Sequence, residues 1–202
     1  MKFRSSTRRY SQSARAQSAE DTARRVVDAF LSRLMTGWYD EITLDRVAED
    51  AGVTVQTVVR RFGGKEGLLA TAVKSLASRI NAQRATPPGD IGRLVDNLIA
   101  DYEQTGDAVI RLLALEPRHS ALKEVLDIGR GEHRNWVTSA VAEVVGKLDP
   151  VSRERAIDAL VITTDVYTWK LLRRDMRRSV AEAATTMKHL IDATIVEFST
   201  PR

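Results

Sequence analysis

Apolar residues recur at spacings of three and four along most of this chain, a period that belongs to helices. Ala23, Val26, Val27, Phe30, Leu31, Leu34 and Met35 form one such stripe, with Gly37 placed to end it. A second stripe runs from Val180 through Ala183, Ala184, Met187, Leu190, Ile191, Thr194 and Ile195 to Phe198. Leu94, Leu98 and Tyr102 mark another helix, and Leu122, Val125, Leu126, Trp136 and Val137 lie along a longer one. Strand-like alternation persists nowhere. The expected fold class is all-α.

Proline supplies the punctuation. All five prolines stand at or beyond position 87. Thr86-Pro87-Pro88-Gly89-Asp90 is the clearest break, because two prolines and a glycine cannot continue a helix. Glu116-Pro117 and Leu148-Asp149-Pro150 are two more. With 202 residues, 43% apolar and 29% charged, the composition is globular and leaves room for one medium domain or two small ones. No apolar run approaches the ~18 residues of a membrane span. Residues 1–25 lack the hydrophobic stretch of a secretory signal. Cysteine is absent, which removes disulfides, thiolate metal sites and thiol nucleophiles together. The simplest compartment is the cytoplasm.

Charge is uneven. Lys2, Arg4, Arg8, Arg9, Arg15, Arg24 and Arg25 stand against Glu20 and Asp21 in the first 25 residues, a net of +5 in a chain whose total is +4. The basic character therefore resides in an N-terminal arm. Arms of this kind contact polyanions, or they are simply solvated tails.

The most informative stretch runs from Thr43 to Phe62. Thr43 is placed to cap a helix, and Asp45 favours the positive end of its dipole. Leu44, Val47, Ala48 and Ala51 make its inner face, Gly52 takes the tight turn, and Val53 follows as an inward plug. Thr54 caps a second short helix with Val58 and Phe62 pointing inward. The small Ala48 lets the two helices cross closely. This is the pattern of a helix-turn-helix, although packing of an ordinary helical hairpin gives a similar one. The second helix is expected to expose Val55, Gln56, Thr57, Arg60 and Arg61. Gln reads adenine bidentately, Arg reads guanine or grips phosphate, and Val touches a thymine methyl.

Residues 20–70 resemble the DNA-binding domain of the TetR family of transcriptional regulators. The residues that carry the resemblance are Gly37-Trp38, Thr43, Ala51-Gly52-Val53, Thr57, Arg60-Arg61-Phe62 and Lys65-Glu66-Gly67-Leu68-Leu69, in order and at the family's spacing. Two departures stand out. Val59 occupies the usual recognition-helix tyrosine and Arg61 the following histidine or tyrosine, two positions that commonly contact phosphate. Gly63-Gly64 replaces the usual polar pair before Lys65.

The resemblance implies site roles by position. Val55, Gln56 and Arg60 would touch base edges, while Thr43, Thr54, Thr57, Arg61 and Lys65 would hold phosphates, helped by amides at helix starts. Arg4, Arg8 and Arg9 would enter a minor groove or, more simply, add nonspecific affinity. It also implies a domain order: a basic flexible arm over 1–19, the helix-turn-helix domain over 20–70, a connecting helix and linker over 71–90, and a helical ligand-binding and dimerisation domain over 91–202. The partners implied are a palindromic or near-palindromic double-stranded operator, a second copy of the chain joined through the last two helices, and an unknown small-molecule effector. Neither a cofactor nor a membrane is implied.

The C-terminal body is less informative. Tyr167-Thr-Trp-Lys-Leu-Leu-Arg-Arg-Asp175 resembles the end of the family's penultimate helix. A pocket would lie among helices at 91–105, 119–145 and 156–174, lined by Leu98, Tyr102, Leu126, His133, Trp136, Val137 and Tyr167, although for each of them ordinary core packing is the favoured reading. Gly129 and Gly131 interrupt a helical pattern as a kink or a loop. Arg173, Arg174, Arg177 and Arg178 read as a solvated cluster complementing a helix C-terminus.

No catalytic constellation assembles, so the chain is not expected to be an enzyme. His119, His133 and His189 form no His-x-x-x-His pair, and Glu116-Pro117-Arg118-His119 lacks a partner motif. Gly63-Gly64-Lys65-Glu66 is no phosphate loop, since Val59 and Glu66 stand where glycine and Ser/Thr belong. Two functions remain. One is a DNA-binding regulator, by family habit a repressor released by a small molecule. The other is a helical small-molecule-binding protein whose helix-turn-helix has degenerated.

Overall fold

The structure, a computed structural model, describes the backbone of residues 5–199 and the side chains of residues 16–198. Among the described residues there is no β-strand. The helices are α1 (Ser5–Thr36), α2 (Leu44–Ala51), α3 (Val55–Phe62), α4 (Lys65–Gln83), α5 (Ile91–Leu115), α6 (Ser120–Ala140), α7 (Ala142–Val145), α8 (Pro150–Thr163), α9 (Val166–Lys170) and α10 (Val180–Ser199). The chain forms two compact units divided between Ser75 and Leu76.

In the first unit α1 packs on α2, and α2 on α3. The α1 stripe does what its spacing predicts: Val26, Val27, Phe30, Leu31 and Leu34 are all buried. Val47, Ala48 and Ala51 from α2, Val58 from α3, and Leu68, Leu69 and Ala72 from α4 complete the core. Leu44, Val53 and Phe62, expected to point inward, are only half-buried. Neither glycine nor proline occurs between Ser5 and Thr36, and alanine, arginine and glutamine favour helix. The helix therefore already runs from Ser5, through residues that the sequence reading leaves as a flexible arm. The side chains of Lys2, Arg4, Arg8, Arg9 and Arg15 lie outside the described residues.

In the second unit α5 is central, packing on α6, α9 and α10, while α8 packs on α6 and α10. Leu94, Leu98, Leu160, Trp169, Met187 and Ile191 are buried together in its core. The prolines act as expected: α4 ends before Pro87-Pro88, and Asp149 caps α8 with Pro150 in the first turn. Gly129 and Gly131 make neither loop nor interruption, since α6 is continuous through both and each faces open space.

The helix expected over 156–174 is divided. Thr164 Oγ1 donates back to the Leu160 carbonyl, and the Asp165 carboxylate caps a new helix by accepting from the Tyr167 amide at 2.8 Å. After Lys170 the coil widens into a π-helical turn, Leu171–Asp175, closed by the Met176 amide on the Leu171 carbonyl. Of the four arginines expected to be solvated, Arg177 and Arg178 are exposed, whereas Arg173 and Arg174 are partly withdrawn. Arg173 pairs with Glu103 and Arg174 with Asp107, at 2.7 and 2.9 Å, and Arg174 also lies 4.4 Å above the Trp169 ring. Glu103 and Asp107 stand one turn apart on α5, so the two pairs fasten the π-helical turn to that helix.

Candidate nucleic-acid interface

The geometry of α2 and α3 follows from their caps. Thr43 accepts from the Arg46 amide at 3.4 Å, and Thr54 accepts from the Thr57 amide at 3.3 Å. Each threonine thereby caps an amide of the first turn, although the Thr57 amide also donates to the Thr54 carbonyl at 3.0 Å. The Thr54 and Thr57 hydroxyls are also bonded to each other at 3.0 Å. Gly52 ends α2 in the left-handed conformation, φ 63°, and returns its amide to the Ala48 and Glu49 carbonyls. With Ala48 buried at the crossing, α3 is set directly after the turn.

On α3 the residues divide by face. Val58 is wholly buried, Val55 and Thr57 are half-buried, and Gln56, Val59, Arg60 and Arg61 are exposed. Gln56 and Arg60 are one turn apart and so share the outward side. Of the five residues expected to be exposed, Val55 and Thr57 are thus partly withdrawn. Val59, at the position where the family commonly carries tyrosine, presents a bare aliphatic surface to solvent.

The basic residues are prepared differently. Arg60 makes no ion pair with any described residue. Arg61 donates to the Glu20 carboxylate of α1 at 2.6 Å. Lys65, in the first turn of α4, donates to the Asp40 carbonyl at 3.3 Å and lies 4.4 Å above the Tyr39 ring. Partial burial there pulls the Lys65 ammonium below the ordinary lysine range. Gly67, part of the Lys65–Leu69 motif, has a place that is forced. A Cβ at that position would stand 1.9 Å from the Phe62 carbonyl oxygen, so the chain closes from α3 into α4 only with glycine there.

The residues expected to line a ligand pocket are scattered by role. Leu98 and Val137 are core, Leu126 is half-buried on α6, and Tyr167 is 57% exposed at the start of α9. Tyr102, His133 and Trp136 come together around Arg84, which pattern reading did not single out. The Arg84 guanidinium pairs with the buried Asp101, meets His133 Nδ1 at 3.4 Å, and lies 5.2 and 5.0 Å from the Tyr102 and Trp136 rings. Trp136 Nε1 donates to the Arg84 carbonyl, and Tyr102 Oη to that of Thr164. Burial pushes the Tyr102 phenol well up, and burial with the neighbouring Arg84 charge pulls His133 down to about 4. A groove of about 500 Å³ lies elsewhere in this unit, between Leu172 and Met176 on one side and Ala181, Glu182, Thr185 and Thr186 of α10 on the other. It contains none of the expected lining residues. Among the described residues no three His, Asp or Glu side chains converge as a metal site, and no helix is long and apolar enough to cross a membrane.

A capped helix-turn-helix with an outward polar second helix, followed by a separate helical unit, defines an all-α protein with an N-terminal helix-turn-helix domain. Residues 39–72 match the family model for bacterial regulatory proteins of the tetR family. Over 74 residues the chain is 34% identical to the HTH-type transcriptional repressor KstR of Rhodococcus jostii, a match covering 37% of this chain and 35% of that protein. The chain thus spans only about a third of that relative's length. In fold it is similar to a tetR-family transcriptional regulator from Streptomyces coelicolor, with TM-score 0.74, 18% identity, and 89% and 82% of the two chains covered. It is also similar to a TetR transcription regulator from Haloarcula marismortui, with TM-score 0.68, 17% identity, and 86% and 98% covered. Residues 39–72 thus resemble the N-terminal DNA-binding domain of the TetR family.

Proposed function

We propose that the chain is a sequence-specific, DNA-binding transcriptional regulator that reads its operator through α3. The observation that carries this reading is the pair Gln56 and Arg60. Both are exposed, they stand one turn apart on a helix whose start is fixed by Thr54, and Arg60 makes no ion pair with any described residue. Val55 adds an apolar edge to the base-reading set. Thr43, Thr54, Thr57, Arg61 and Lys65 supply hydroxyls and charge for phosphates, which fix register and carry no base information.

The second unit is the effector and dimerisation domain in this reading. Ile162 on α8 and Leu190 and Val196 on α10 are 67%, 45% and 63% exposed on two helices that pack together. A second copy of the chain would cover them in a self-complementary interface. That dimer presents two recognition helices to a near-palindromic site in the cytoplasm. A small molecule held among α5, α6, α8 and α9 would release the DNA only by preferring the geometry that fits it poorly. Repression is the mode proposed.

Selection of random duplex DNA on the purified protein at about physiological salt tests the reading. A palindromic consensus is expected. Gln56→Ala and Arg60→Ala should each cost about 1–3 kcal/mol on that consensus and relax base choice, whereas Lys65→Ala should weaken all sequences alike. Full discrimination in both of the first two variants would overturn the assignment of base contacts.

A further inference from the structure

We infer that Glu20 is a competing anion built into the DNA interface: its carboxylate holds Arg61 in the free protein and surrenders it to a backbone phosphate on binding. This rests on the DNA-binding reading above and adds a residue that pattern reading does not place in the site.

Glu20 Oε1 lies 2.6 Å from Arg61 Nη2. The Glu20 side chain is 71% exposed and that of Arg61 37%, so water reaches the pair and its net strength is small. A weak, solvated pair is one that an incoming phosphate can exchange. Two other ion pairs in this unit are local or internal to the scaffold. Arg24 pairs with Asp21 three residues away on α1, and Arg33 is held by both oxygens of Asp50 on α2. Glu20–Arg61 places a carboxylate against the recognition helix.

The contrast with the neighbouring arginine gives the pair its meaning. Arg60, exposed and uncommitted, is available for base edges, where contact carries sequence information. Arg61, masked by Glu20, is available only at a cost, and a phosphate contact carries none. The freed carboxylate also remains within a screening length of any phosphate that Arg61 reaches. Glu20 therefore lowers affinity for every duplex and leaves discrimination among duplexes untouched. Its effect is to limit retention on nonspecific DNA.

The salt dependence follows. A phosphate neutralised by a free arginine releases about 0.9 counterion from B-DNA. When the arginine arrives already neutralised, the displaced carboxylate offsets part of that release. Without Glu20, binding should respond more steeply to salt.

The test uses the full chain and its Glu20→Gln, Arg61→Ala and double variants, titrated against the selected operator and a random-sequence duplex across a range of salt. Glu20→Gln is expected to tighten both duplexes by about two- to fivefold, with an unchanged ratio between them and a log–log salt slope steeper by up to about one. Glu20→Ala should do the same, which separates loss of charge from any local effect of glutamine. In the Arg61→Ala background the Glu20 change should have a clearly smaller effect, because only the direct repulsion between carboxylate and phosphate remains. Unchanged affinity on removing Glu20, or equal tightening with Arg61 absent, overturns the inference while leaving DNA binding intact. Failure of every form, wild type included, to bind any duplex at low salt overturns the DNA-binding reading itself.

Discussion

Trp169 is wholly buried, and its indole nitrogen donates to Glu103 at 2.8 Å, which pins the ring between α9 and α5. Gly106, one turn beyond Tyr102 on α5, lies beneath that ring. A Cβ there would stand 2.5 Å from the indole Cζ3, a distance that real side chains do not tolerate. The ring has little room to retreat, since Tyr102 packs against it at 5.9 Å between centroids and the Arg174 guanidinium lies 4.4 Å over it. Gly106→Ala should therefore overpack the second unit and cost about 1–3 kcal/mol in denaturant unfolding, with a shift in tryptophan emission. A stability equal to wild type would show that α5 and α9 can separate slightly without penalty. Nothing in the sequence marks this glycine as special, because the group that forbids a side chain there comes from another helix much later in the chain.

At the scale of elements, the helix-turn-helix depends on two caps. Removal of the Thr54 hydroxyl leaves the Thr57 amide only its bond to the Thr54 carbonyl and frees the Thr57 hydroxyl, which loosens the first turn of α3. Thr54→Ala should lower stability by about 1 kcal/mol and Thr54→Ser should restore most of it, as read by thermal unfolding. A DNA titration of the same variants should show the alanine form weakened on all sequences, because Gln56 and Arg60 are aimed by the turn that Thr54 closes. These caps are legible in the sequence because they act over three residues, and so are the buried stripe of α1 and the turn at Gly52. The pairs Arg61–Glu20, Arg173–Glu103 and Arg174–Asp107 are not legible, because they join residues on different helices and no spacing rule connects them. For the same reason the arginines near 173 read as solvated. The break between α8 and α9 was also hidden, since Thr164 and Asp165 are ordinary inside a helix until one back-bonds and the other caps.

Across the whole molecule, acid should act through His133. Its Nε2 meets Thr164 Oγ1 at 3.0 Å, and that hydroxyl already donates to the Leu160 carbonyl, so Nε2 must be the protonated nitrogen. Nδ1 then accepts from Arg84, and a second proton would set two cations side by side. Burial and that charge hold His133 at about 4, against 6.5 for a free histidine. A pKa depressed on folding means that the unfolded chain binds the proton first. The stabilisation is present above pH 6.5 and is lost as the pH falls toward 4. Between pH 6.5 and pH 5 the loss should be about 1.5 kcal/mol. The carboxylates held low by arginine partners, Glu103 and Glu116 among them, begin to contribute only at more acid pH, and Asp165, pushed up by burial, acts in the opposite sense. Denaturant unfolding of the wild type and of His133→Gln at the two pH values separates these contributions. The glutamine form should be less stable at neutral pH and nearly flat across the window. An equal slope in both proteins would place the acid sensitivity elsewhere and leave the Arg84–Asp101 pair indifferent to the imidazole beside it.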